Sequence, residues 1–180
     1  MENNLYKKYK TEIVPKLKQD LELKNVMQAP KVSKVVVNVG VGKFVKEASY
    51  IENVENTLRN ITGQKPVRTK AKKAISNFRT RAGMEVGVCV TLRGKKMYDF
   101  LEKLVSITFP RVKDFRGINP KSFDKKGNYN LGFKENLAFP EVKSEELEKV
   151  HGLQITISTT AKDSKSGLAL LTELGFPFKK

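Results

Sequence analysis

The chain predicts an α+β fold in a single domain, on three observations. Some stretches carry apolar residues every three or four positions, and others alternate apolar and polar residues, so both helices and strands are present. They are mixed without a regular βαβ repeat, which disfavours a doubly wound sheet. At 180 residues and 39% hydrophobic content the chain is long enough for one good core and too short for two large ones.

Leu5, Tyr9, Ile13 and Leu17 recur every four residues between lysines, predicting an amphipathic helix that Pro15 kinks or divides. Lys31 to Gly42 is dense in valine, stiff at χ1 and suited to a pleated surface, and predicts a strand. Glu47 to Ile61 predicts a helix with Ile51, Val54, Leu58 and Ile61 on one face, stopped by Gly63. Gln64 to Thr69 predicts a short strand, and Lys70 to Met84, with no clean period, a long mobile loop. Glu85 to Arg93 alternates as a second long strand, and Lys95 to about Ile107 predicts a helix terminated by Pro110. A hairpin turn around residues 124–128 leads into a strand from Tyr129 to Phe133. An acidic turn at Glu145 to Lys149, a strand from Leu153 to Thr160 and a helix from about Ser164 to Leu174, ended by Gly175 and Pro177, complete the chain.

The charge pattern names a class of partner. The net charge is +16, and residues 1–134 hold 29 basic against 12 acidic side chains while residues 135–180 hold 6 against 7. Between Glu55 and Glu85 there is no acidic residue and eight basic ones, Arg59, Lys65, Arg68, Lys70, Lys72, Lys73, Arg79 and Arg81. Carboxylates near phosphates weaken their pairing with lysine and arginine, so an acid-free basic stretch suits a polyanion surface. Cys89 is the single cysteine, which excludes an internal disulfide and a multi-cysteine zinc site, and a cytoplasmic setting fits. No run approaches the roughly 20 apolar residues of a membrane span, and Met1-Glu2-Asn3-Asn4 opens without an apolar signal core.

Alternation in the first strand places Ser33, Val35, Val37, Val39 and Val41 inward and Lys34, Val36, Asn38, Gly40 and Gly42 outward. The matching outward face of residues 85–93 carries Thr91 and Arg93, and Gln64 and Lys65 enter the neighbouring short strand. Together these form a candidate patch for sugar and phosphate. The plainer reading keeps Asn38 as a solvated strand residue and the glycines as a bulge. For Lys70 to Met84 the plainer reading is a solvated loop, but its length, lack of acids and lone aromatic Phe78 favour nucleic acid. Gly40-Val41-Gly42 lacks the third glycine of a dinucleotide fingerprint, and no phosphate-loop motif is present. His151, the only histidine, reads as a turn residue, and Glu145, Glu146 and Glu148 as a solvated helix start. No cofactor or catalytic pair is expected; a nuclease and a general DNA-binding module are the rival readings.

Seven blocks in order resemble the large-subunit ribosomal protein five family in its bacterial form: Val36-Val37-Asn38-Val39-Gly40-Val41-Gly42, Thr62-Gly63-Gln64-Lys65-Pro66, Val90-Thr91-Leu92-Arg93-Gly94, the stretch Phe109 to Gly117, Lys121-Ser122-Phe123-Asp124, Gly127-Asn128-Tyr129 and Phe176-Pro177-Phe178. The resemblance implies a non-enzymatic protein of the central protuberance, cytoplasmic in the ribosome, with a curved antiparallel sheet and helices packed on one face. It implies 5S rRNA on the exposed sheet face at Asn38, Gln64 and Thr91, with Lys34, Gly40, Lys65 and Arg93 as neighbours. The loop residues Lys70, Lys72, Lys73, Asn77, Phe78, Arg79 and Arg81 would reach the P-site tRNA. Arg111, Lys113, Asp114, Arg116, Glu141 and Lys143 would meet a small-subunit head protein in an intersubunit bridge. The 23S rRNA and other 5S rRNA-binding ribosomal proteins are further implied partners, with no membrane and no small-molecule substrate.

Overall fold

A computed structural model describes residues 4–45, 47–142 and 150–179. The fold is α+β, with one antiparallel sheet of five strands and helices packed on it. The strands are β1 (Val32–Gly40), β2 (Val67–Lys70), β3 (Glu85–Leu92), β4 (Tyr129–Phe133) and β5 (Leu153–Thr159), in the order β2-β3-β1-β5-β4. The helices are α1 (Asn4–Lys8), α2 (Val14–Asp20), α3 (Ala48–Thr62), α4 (Gly94–Lys103), α5 (Phe109–Arg111) and α6 (Ser164–Glu173). Within this domain, contacts fall into two compact units, and β1, β3, β4 and β5 each contribute residues to both.

The first unit holds residues 1–35, 92–131 and 156–180. Leu5, Tyr9, Ile13 and Leu17 are buried, as their spacing predicts. The helix is not broken at Pro15: helical residues run without interruption from Asn4 to Asp20. A π-helical turn, Tyr9–Ile13, joins α1 to α2, and the Val14 N–H bonds to the Tyr9 carbonyl. The wider turn shifts the hydrogen-bond register, so the donor that proline lacks falls in the first turn of a new α-segment, where it is not needed. The same device recurs at Pro110. The π-turn Leu104–Thr108 carries the chain from α4 into α5, so the helical path passes Pro110 and ends at Arg111 rather than near Ile107. Phe109 lies 5.3 Å from Phe115 and 5.8 Å from Phe176 between ring centroids, filling the space behind this bend.

Asp124 organises the expected turn by accepting the backbone N–H groups of Lys126 and Asn128 and the Asn128 side chain. Those bonds, the Asn128 side chain first, hold its carboxyl below the usual range. Gly127 has φ +72°, and a Cβ there would lie 2.6 Å from both the Ala161 Cβ and the Asp163 carbonyl, so only glycine fits. The expected hairpin is reduced to a single bridge, Phe123 to Tyr129, because β4 pairs with β5 instead. Burial raises the Tyr129 phenol to about 12, and its hydroxyl donates to the Asn119 carbonyl at 2.9 Å.

The second unit holds residues 36–91 and 132–155. Its core is the predicted one: Val37, Val39 and Val41 from the first strand region, Val88 and Val90 from β3, and Ile51, Val54, Leu58 and Ile61 from α3 are all buried. Each such side chain contributes roughly 1.5–3 kcal/mol when buried, whereas strand propensities span about 1 kcal/mol, so burial fixes which parity faces inward. Gly63 closes α3 in the left-handed conformation, φ +63°, with its N–H on the Arg59 carbonyl.

Candidate nucleic-acid interface

On β1 the residues between the buried valines remain accessible, with Asn38 half-buried and Gly40 exposed. A Cβ at Gly40 would meet nothing within 4 Å, so the backbone there is open. Gly42 is not in the strand; it begins a 3₁₀ turn, Gly42–Phe44. On β3 Cys89 and Thr91 are half-buried on the matching face. β2 runs antiparallel to β3, with Val67 opposite Cys89 and Thr69 opposite Gly87. The face is therefore mixed: Asn38, Thr69 and Thr91 are interspersed with Cys89 and the 64% exposed Val67.

Gln64 and Lys65 do not enter β2. Gly63 turns the chain out of α3 and Pro66 cannot donate a ladder hydrogen bond, so the strand begins at Val67. Gln64 nevertheless reaches the sheet, donating from Nε2 to the Thr91 carbonyl at 3.0 Å. Two of the three central candidates thus touch directly, and Gln64 keeps its carboxamide oxygen as an acceptor. The carboxamide of Asn38 bonds no described residue. Lys65 is exposed in this unit; Lys34, half-buried on β1, and Arg93, exposed before α4, belong to the other unit.

One residue of the basic window is spent inside the protein. Arg68 donates to Glu55 at 2.9 Å and to Glu85 at 3.1 Å, and these bonds raise its pKa, that to Glu55 contributing most. The two carboxylates that bound the acid-free window are thus held on one of its own arginines. Partly exposed pairs of this kind contribute about 0.2–1 kcal/mol each, enough to pin β2 to α3 and β3 without dominating stability.

The segment after β2 is more ordered than its sequence implies. The Ala71 N–H donates to the Met84 carbonyl at 2.8 Å and the Gly83 N–H to the Ala71 carbonyl at 2.9 Å. Further out, Ile75 and Thr80 exchange backbone bonds of 3.0 and 3.2 Å around a 3₁₀ turn, Ser76–Phe78, closed by Arg79 at φ +51°. The expected irregular loop is an extension of the β2–β3 hairpin. Lys70, Lys72, Lys73, Asn77, Arg79 and Arg81 are exposed along it, and Phe78 is 74% exposed at its tip.

Arg111 is exposed at the end of α5, and Lys113, Asp114 and Arg116 are exposed just after it, on a segment anchored by Phe115 against Phe109. Glu141 lies in the other unit, while Lys143 and the acidic turn at 145–149 fall outside the described residues. His151 is buried rather than exposed at a turn, with Nδ1 3.4 Å from Asn136 Nδ2. Among the described residues no three His, Cys, Asp or Glu side chains gather where they could hold a metal, and no helix is long and apolar enough to cross a membrane.

Residues 25–81 match the family described as "Ribosomal protein L5", and residues 85–178 match the "ribosomal L5P family C-terminus". The chain is 50% identical over 176 residues to the large ribosomal subunit protein uL5 of Halothermothrix orenii, covering 98% of each chain. It is 47% identical over 176 residues to the protein of the same name from Colwellia psychrerythraea, covering 98% of this chain and 97% of that one.

Proposed function

The chain belongs to the ribosomal protein L5 family, and from that premise we propose that it binds 5S rRNA through the exposed sheet face of the second unit. The family is one of RNA-binding structural proteins of the large ribosomal subunit that serve translation in the cytoplasmic ribosome, not of enzymes. The observation that carries the 5S assignment is the carboxamide of Asn38, which bonds no described residue, on the accessible sheet face that also holds the bonded pair Gln64 and Thr91. A-form RNA hides its bases in a deep groove and displays 2′-hydroxyls and phosphates across a shallow one, which hydrogen-bonding side chains on a sheet face can meet. Lys65, exposed in this unit, adds charge pairing and counterion release, and Gly40, Lys34 and Arg93 are proposed as further RNA contacts.

The basic hairpin from Lys70 to Arg81 contacts P-site tRNA, with Phe78 at its tip as a stacking or anchoring ring. The exposed segment Arg111 to Arg116 meets a small-subunit head protein, and Glu141 and Lys143 are proposed as further contacts to it. The same placement in the central protuberance brings 23S rRNA and other 5S-binding proteins within reach. Gel-shift titrations with 5S rRNA and with duplex DNA of equal length test the first assignment. Binding to 5S rRNA at least tenfold tighter at matched salt, with the RNA intact after incubation with magnesium, is expected. Equal affinity for the two would favour a general nucleic-acid binder, and metal-dependent cleavage a nuclease.

A further inference from the structure

We infer that Thr69 and Asn38 form a ribose-reading pair across Gly87, an inference that rests on the 5S reading of this face. Register places Thr69 of β2 directly opposite Gly87 of β3. A Cβ on residue 87 would lie 2.7 Å from Thr69 Oγ1, 3.3 Å from the Val39 carbonyl and 3.7 Å from Asn38 Oδ1. The first distance is closer than real Cβ atoms come, so the Thr69 hydroxyl occupies the space that a side chain at 87 would need. The missing side chain lets a hydroxyl from one flanking strand and a carboxamide from the other lean towards each other over β3.

Both groups are left without partners among the described residues. Thr62, Thr80, Thr156 and Thr159 spend their hydroxyls on nearby acceptors, but the Thr69 hydroxyl, like the Asn38 carboxamide, bonds no described residue. Asn38 turns its acceptor oxygen to this spot and Thr69 offers a donor. A phosphate oxygen can only accept, whereas a ribose 2′-hydroxyl donates to the first and accepts from the second. The chemistry therefore selects a ribose, and Gly87 becomes a steric requirement of the site although it contacts no RNA itself.

Thr69→Val keeps the β-branched shape and removes the hydroxyl, so the strand is retained. Affinity for 5S rRNA is expected to fall about three- to tenfold, the effect of one hydrogen bond, at unchanged melting temperature. A 2′-deoxy interference scan of 5S rRNA is expected to mark a nucleotide with the wild-type protein and to lose that mark with Thr69→Val. Gly87→Ala is expected to weaken binding on its own, yet to add less to Thr69→Ala, which removes the closest of the clashes. Wild-type affinity and an unchanged interference pattern for Thr69→Val, with Asn38→Ala still impaired, would overturn the pair and leave the sheet-face reading standing. Wild-type affinity for Asn38→Ala and Gln64→Ala as well would overturn both.

Discussion

Replacing Asn38 and Gln64 together with alanine is expected to lower affinity for 5S rRNA about a hundredfold. The carboxamide of Asn38 bonds no described residue, so its truncation is expected to remove RNA contacts without breaking a bond among the described residues. Gln64 is different: its Nε2 bond to the Thr91 carbonyl holds it to the sheet, and its loss costs stability as well. That cost is about 1 kcal/mol, because Gln64 is half-exposed and water replaces the missing donor. Two lost carboxamides, each making one or two bonds to RNA, together forfeit about 3 kcal/mol of binding, or roughly two decades in Kd. The double variant is therefore expected to remain folded by circular dichroism while its gel-shift midpoint moves by that factor. A folded double variant that binds like the wild type would contradict the placement of 5S rRNA on this face.

Removing the charges of the hairpin arm has a separate outcome. With Lys72, Lys73, Arg79 and Arg81 changed to alanine, binding of isolated 5S rRNA is expected to stay within about threefold. Retention of tRNA in the P site of ribosomes carrying the variant is expected to weaken and to lose salt sensitivity. Four phosphate contacts correspond to a slope of log affinity on log salt that is shallower by about 3. The fold is unaffected, since all four side chains are exposed and the rungs at Ala71–Met84 and Ile75–Thr80 are made by backbone. Collapse of 5S binding in this variant would move the arm from the tRNA to the 5S anchor.

What the sequence made legible was whatever a short window determines. The period-two valines of β1 and β3 announced both strands and their buried faces, because burial of each valine outweighs any competing local preference. Gly63 marked the end of α3 because a left-handed C-cap has few alternatives to glycine. Pro15 and Pro110 misled because a proline reads as a helix stop, while a preceding π-turn supplies a register in which its missing donor is harmless. Gln64 and Lys65 were assigned to a strand that starts only after Pro66, and Gln64 reaches the sheet through its bond to the Thr91 carbonyl instead.

The rest lay in pairings across strands. Arg68 counted as one of eight free charges, yet its partners stand 13 and 17 residues away and are brought to it by α3 and β3. Thr69 drew no notice because a four-residue strand shows too little alternation to reveal its face, which follows from its register opposite Gly87. Closure of the 70–84 segment depends on bonds between residues as far apart as Ala71 and Met84, which no local period signals.

Cys89 gives the most direct test that the sheet face of the second unit holds 5S rRNA. It is the only cysteine, it is half-buried on β3 between Gly87 and Thr91, and it lies opposite Val67 on that same face. Its alkylation by a small neutral reagent can be timed on the unmodified protein with and without saturating 5S rRNA. The face assignment predicts that bound RNA slows the reaction at least tenfold, and that a tRNA at equal concentration does not. An alkylation rate unchanged by saturating 5S rRNA would contradict it.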